Sequence, residues 1–218
     1  MRPKILMLMG GGTNVGIFEM QTRKLATLLS PDFDLVYIEA PLDSGPGLGV
    51  LPIFEGAGPF KTWIRDEPLG AEKMDWEQLD DLYARFHAKG PFAGIVSFSQ
   101  GAKAALHLIR RLEKEGNEGA LRFIVAICAT CPYQGITDPE DPRAPLFQES
   151  LARGRAELES IHVIADSDPL RKQSEALVQF FDDNNRKVVR FKGGHHMPQE
   201  DSVNKLLAQY IMYAYQGM

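Results

Sequence analysis

Apolar positions along the chain follow two alternating patterns. One is a compact apolar run of about 4–8 residues closed by glycine, proline or polar residues, the form of a strand buried on both faces. Such runs occupy Lys4–Met9, Phe33–Ile38, Phe92–Phe98, Leu121–Cys128, Ile161–Ala165 and Lys187–Phe191. The other is helical spacing. Leu79, Leu82, Tyr83 and Phe86 recur at i, i+3, i+4 and i+7 before Gly90-Pro91 ends the helix. Ala105, Leu108, Ile109 and Leu112 repeat the spacing, as do Val203, Leu206, Leu207, Tyr210 and Ile211, with Asp201 or Ser202 as the expected N-cap. Residues 17–30 and 170–183 are expected to be helical on weaker patterns. Strand and helix alternate throughout, which predicts an α/β fold with a mostly parallel sheet and helices on both faces.

Two stretches interrupt the alternation. Residues 41–62 are rich in proline and glycine yet carry Leu51, Ile53, Phe54 and Phe60, too many apolar side chains for disorder. They are read as a pocket wall, with Leu51, Phe54 and Phe60 as substrate-binding candidates. Residues 132–159 run through several prolines into a polar, helix-compatible piece. No repeat or linker divides the chain, so residues 1–218 are expected to form a single domain.

Composition narrows the class. The 218 residues are 44% hydrophobic and 24% charged, enough to build a core. Lys plus Arg number 24 against 29 Asp plus Glu, and a net charge of −5 argues against a nucleic-acid partner. No apolar run reaches the roughly 18 residues of a membrane span, so no membrane partner is expected. The run Ile5–Met9 meets Gly10-Gly11-Gly12 at once and reads as a first strand rather than an export signal. Cys128 and Cys131 make no disulfide framework, and the cytoplasm is the expected compartment.

The chemistry concentrates at predicted strand ends. Val96-Ser97-Phe98-Ser99-Gln100-Gly101-Ala102 lies between a strand and a helix, where an α/β-hydrolase lifts its nucleophilic serine on a tight turn. Gly101, Ala102 and Ala104 provide the small residues that a close strand–helix approach needs. Taken alone, Ser-x-Ser-x-Gly also fits a helix N-cap serine. The partners a nucleophile requires follow in the order this fold uses, a carboxylate and then a histidine. Asp166 and Asp168 compete for the carboxylate role, with Asp168 favoured because it lies further beyond its strand. His195 and His196 compete for the base. The preceding Gly193-Gly194 favours His195, leaving His196 to line the pocket or face solvent. No metal is expected, since no ligand set at metal spacing accompanies the histidines. For a developing oxyanion the expected donors are the N–H of Gln100 and that of Gly11 or Gly12 in the glycine loop. That loop fits neither the dinucleotide fingerprint nor the P-loop.

Several segments together carry a resemblance: Leu8-Met9-Gly10-Gly11-Gly12-Thr13-Asn14, Phe18-Glu19-Met20-Gln21-Thr22, Gly49-Val50-Leu51-Pro52-Ile53-Phe54-Glu55-Gly56, Phe98-Ser99-Gln100-Gly101-Ala102 and Gly193-Gly194-His195-His196-Met197-Pro198. The chain resembles the fungal FSH group (family of serine hydrolases), above all the esterases and thioesterases encoded with polyketide synthases. The resemblance implies an α/β-hydrolase fold without a large cap, a triad of Ser99, Asp168 and His195, and no cofactor. It implies hydrolysis of an acyl thioester or ester, typically a polyketide held on the acyl carrier domain of a synthase. A stand-alone carboxylesterase on small esters and a non-catalytic acyl-binding protein are the alternatives. Two positions depart from the family pattern. Met9 stands where a histidine is common, and Ser97 stands where glycine is common, with strain at the turn as the expected consequence.

Overall fold

The computed structural model describes residues 2–65, 79–131 and 158–217. Six strands form one parallel sheet: β1 (Lys4–Leu8), β2 (Asp34–Ile38), β5 (Phe92–Phe98), β6 (Phe123–Ile127), β7 (Glu159–Ala165) and β8 (Arg186–Phe191), in the order β2-β1-β5-β6-β7-β8. Helices α1 (Val15–Leu29), α2 (Asp80–Lys89), α3 (Gly101–Lys114), α4 (Arg171–Val178) and α5 (Asp201–Gln216) surround it. The sheet confirms the predicted parallel architecture, and β1, second from one edge, is fully buried from Ile5 to Leu8.

Chain direction places the helices. From β1 to β2 the chain steps one way across the sheet through α1, whereas from β5 to β6 it steps the other way through α3. Right-handed crossovers in opposite directions deposit their helices on opposite faces. Accordingly α5 returns from β8 to pack on α1, and α2 packs on α3. The direction reverses between β1 and β5, so their C-terminal ends flank a crevice where such sheets bind ligands.

Some boundaries differ from expectation for local reasons. Asn14 caps α1, its side-chain oxygen accepting the Ile17 N–H at 2.9 Å, so the helix starts two residues before the first apolar signal. Helix α4 stops at Val178 rather than at 183. Beyond it, Phe180 and Phe181 are both fully buried in the turn that leads to β8. The N-cap of α5 is Glu200, not Asp201 or Ser202; Asp201 sits inside the first turn and pairs with Lys24 of α1.

The irregular stretch 41–62 contains a small antiparallel pair, β3 (Leu42–Ser44) and β4 (Phe60–Thr62). Backbone hydrogen bonds fasten this hairpin to the glycine loop after β1: Gly12 N–H to Lys61 O (2.8 Å), Lys61 N–H to Thr13 O (2.6 Å) and Gly47 N–H to Gly12 O (2.9 Å). Gly12 has φ +70°, and a Cβ there would lie 2.1 Å from the Gly47 nitrogen. Two backbones meet at this point with no room for a side chain. The expected polar piece at 132–159 lies, but for its last two residues, outside the described residues.

Candidate active site

Three loops converge at the C-terminal edge of the sheet. Ser99 follows β5 and adopts φ 50°, a left-handed conformation uncommon for a side-chain-bearing residue. The turn is held by Ser99 N–H donating to Ile127 O (3.0 Å) and Ser99 O accepting from the Thr130 and Ala102 N–H groups. It can be this tight because a Cβ on Gly101 would stand 2.4 Å from the Leu8 carbonyl oxygen, so α3 closes directly on the end of β1. Ser97 is accommodated in a different way from the expected strain. Its buried hydroxyl donates to the Val125 carbonyl on the neighbouring strand at 3.0 Å.

The histidine loop after β8 brings His195 Nε2 to 2.8 Å from Ser99 Oγ. Its Nδ1 lies 2.9 Å from Asp168 Oδ2 in the loop after β7. Asp168 is oriented in turn, because Oδ1 accepts the Leu170 N–H at 2.7 Å. Both side chains are nearly closed to solvent, 5% exposed for His195 and 1% for Asp168. The Phe98 ring backs the imidazole at a centroid distance of 5.2 Å. Of the competing residues, Asp166 is exposed. His196 is also exposed, and its ring is spent within its own loop, on Met197 O (2.9 Å) and the Gly194 N–H (3.2 Å). A hydroxyl, an imidazole and a carboxylate in this sequence can pass the serine proton to the histidine as the oxygen attacks a carbonyl.

Of the two glycines considered as oxyanion donors, Gly12 is ruled out because its N–H is already donated to Lys61 O. The N–H groups of Gly11 and Gln100 have no acceptor among the described residues. Both residues line a cavity of about 360 Å³ that opens at Ser99 and His195. Met9, which departs from the family pattern, is fully buried, and its carbonyl accepts the Trp63 indole N–H at 2.7 Å.

The stretch 41–62 does border the cavity, but through other residues than those expected. Leu51, Phe54 and Phe60 do not line it. Ser44, Gly47 and Leu48 line it instead, because the hairpin is anchored through Gly47 and the buried Val50, which carries Leu51 and Ile53 outward. Sequence reasoning missed Thr130, Leu170, Gln173 and Lys103, which also line the cavity. Each lies just beyond the C-terminal end of a strand or in the first turn of the next helix. The rule that placed the triad could have found them.

Buried beneath the triad is Cys128, with φ 45°. Burial, then the adjacent Asp168 charge, push its thiol pKa far up. Cys128, Asp168 and His195 place possible ligand atoms within 4.8 Å of one another. A metal would need a thiolate that these surroundings oppose, and Asp168 Oδ2 and His195 Nδ1 are already committed to each other. The donor set suits a hydrogen-bonded relay better than a metal.

The sheet, the turn that carries Ser99 and the converging loops define an α/β-hydrolase of the serine type. A family model described as "Serine hydrolase (FSH1)" matches residues 1–206, and the chain belongs to that family. It is 36% identical over 219 residues to "Esterase FUS5" of Gibberella fujikuroi, covering 98% of this chain and 88% of that relative. It is 30% identical over 230 residues to "Thioesterase FSL2" of Gibberella zeae, covering 96% of this chain and 91% of that relative. The fold is also that of the Bacillus cereus carboxylesterase, with a TM-score of 0.63 at 15% identity, covering 98% of this chain and 89% of that one. The protein is thus a hydrolase with esterase and thioesterase relatives. No helix among the described residues is long and apolar enough to cross a membrane.

Proposed function

We propose that the protein hydrolyses an acyl thioester or ester through a covalent acyl-enzyme on Ser99, and that its substrate is a polyketide chain carried by the acyl carrier domain of a synthase. Ser99 Oγ bonds to the substrate carbonyl carbon while His195 Nε2 takes the hydroxyl proton. Asp168 holds the imidazole in orientation and balances its positive charge. The N–H groups of Gly11 and Gln100 receive the developing oxyanion. The carbon–sulfur or carbon–oxygen bond then breaks and the leaving group takes the proton from His195. Water, deprotonated by the same imidazole, releases the acid and restores Ser99.

One observation carries this reading: the Ser99–His195–Asp168 chain of contacts, 2.8 and 2.9 Å, opens onto a cavity. The thioester half draws on the thioesterase relative. A stand-alone carboxylesterase on small esters is the second reading, favoured by the polar part of the lining, Ser44, Thr62, Lys103, Thr130 and Gln173. The test measures acid release from acyl carrier-bound thioesters and from p-nitrophenyl esters, with wild type and Ser99→Ala. Removing the serine should lower turnover by about 10⁴-fold or more and abolish fluorophosphonate labelling. Full activity in Ser99→Ala refutes the nucleophile. A wild-type protein that the probe does not label at Ser99 is a non-catalytic acyl binder. A preference for small oxygen esters over carrier-bound thioesters selects the second reading.

A further inference from the structure

Gln100 presents two separate parts to the site. Its backbone N–H is an oxyanion donor in the reading above, and any substitution short of proline preserves it. Its side chain is buried and fully engaged elsewhere. Oε1 accepts from Thr62 Oγ1–H (2.7 Å) and from the Trp63 N–H (2.8 Å), while Nε2 donates to Ile64 O (2.8 Å). All three partners belong to the short segment leaving β4. That same segment grips the glycine loop: the Trp63 indole donates to Met9 O, and Lys61 exchanges hydrogen bonds with Gly12 and Thr13. Gly11 lies between the two. A Cβ at Gly11 would fall 2.8 Å from Gln100 Oε1 and 3.1 Å from Thr62 Oγ1, so its backbone packs against the carboxamide.

Two N–H groups can share one oxyanion only if their spacing is held to a few tenths of an ångström. Here they belong to Gly11 and Gln100, far apart in sequence and on loops from different strands. An apolar side chain could fill the space behind Gly11, but packing alone tolerates sliding, whereas three directional hydrogen bonds do not. We infer that the Gln100 carboxamide is a positioning group that sets the Gly11 N–H against the Gln100 N–H by clamping residues 62–64 behind the glycine loop. This rests on Ser99 being the nucleophile of the proposed function.

The test uses Gln100→Met, which keeps the volume and removes all three bonds, and Gln100→Glu, which keeps the two acceptor contacts and loses the donor to Ile64. Thr62→Val removes the hydroxyl that bonds Gln100 Oε1, together with its longer contact to Ile64 O (3.1 Å), and serves if the Gln100 variants fail to fold. Each is measured for kcat and KM on a p-nitrophenyl ester. Each is also measured for affinity toward an arylboronic acid, which forms a tetrahedral adduct on serine, and toward an isosteric ether, which does not. The expected result for Gln100→Met is a fall in kcat of about 10- to 100-fold with KM within about threefold, somewhat less than deleting a donor outright. Boronate affinity falls by the same factor and ether affinity is unchanged. A kcat within about twofold of wild type, or equal weakening of boronate and ether, overturns the inference. Failure of the underlying reading is seen separately, as a wild-type protein that a fluorophosphonate does not label at Ser99.

Discussion

His162 makes the fold sensitive to mild acid. It sits in β7 opposite Ala126 of β6 and Val188 of β8, 1% exposed, with its ring against Phe181 at 5.0 Å. Among the described residues, neither ring nitrogen has a hydrogen-bond partner. Burial first, and the positive charge of Arg186 second, push its pKa down to about 3 from 6.5. Unfolded chains therefore bind a proton here below pH 6.5, whereas the folded protein declines it until near pH 3. The stability that the neutral ring allows is fully present above pH 6.5 and is lost as pH falls toward 3. At 1.36 kcal/mol per pH unit, the loss on going from pH 7 to pH 5 is about 2 kcal/mol, and near pH 3 it approaches about 5 kcal/mol. Protonation of carboxylates adds its own acid dependence, so the informative quantity is a difference between two proteins. Urea unfolding of wild type and His162→Leu at pH 7 and pH 5 isolates it. The leucine variant should lose about 2 kcal/mol less than wild type over that interval, whatever its stability at pH 7. Parallel losses in the two proteins would refute the argument.

Two further outcomes follow from close contacts. Gly12→Ala should disrupt the join between the hairpin and the glycine loop, because its Cβ meets the Gly47 nitrogen at 2.1 Å and φ is +70°. Its proteolytic susceptibility near residues 45–57 should rise and its esterase activity fall. Unchanged proteolysis would show that the join is dispensable. In a Cys131→Ser background Cys128 should not react with Ellman's reagent at pH 8 until the protein is unfolded, since burial and Asp168 hold its thiol protonated. Rapid reaction in the native state would contradict that environment.

Much of the architecture was legible because it depends on neighbours along the chain. Period and run length marked the six strands of the parallel sheet, and Gly90-Pro91 closed α2 where expected. The site was legible too, since an all-parallel sheet sends every strand's C-terminal end to one edge. Ser99, Asp168 and His195 each follow a strand, which is why a reading of order and position could bring them together. Asp168 over Asp166 was favoured on the same ground, and exposure of Asp166 agrees with it.

What tertiary structure alone decided concerns approaches between segments that are distant in sequence. The N–H of Gly12 is spent on Lys61, and no property of the glycine run itself foretells that partner. Leu51 and Ile53 are as apolar as any pocket residue, yet the anchoring of Gly47 and Val50 turns them outward. The tolerance of Ser97 depends on a carbonyl of β6 standing within reach. The Gln100 side chain finds its partners on a segment more than thirty residues earlier. Periodicity and turn chemistry record how a segment meets water and its own backbone, and so they specify elements and their direction. Which donor meets which acceptor across loops depends on how those elements pack, and that packing is a property of the whole chain.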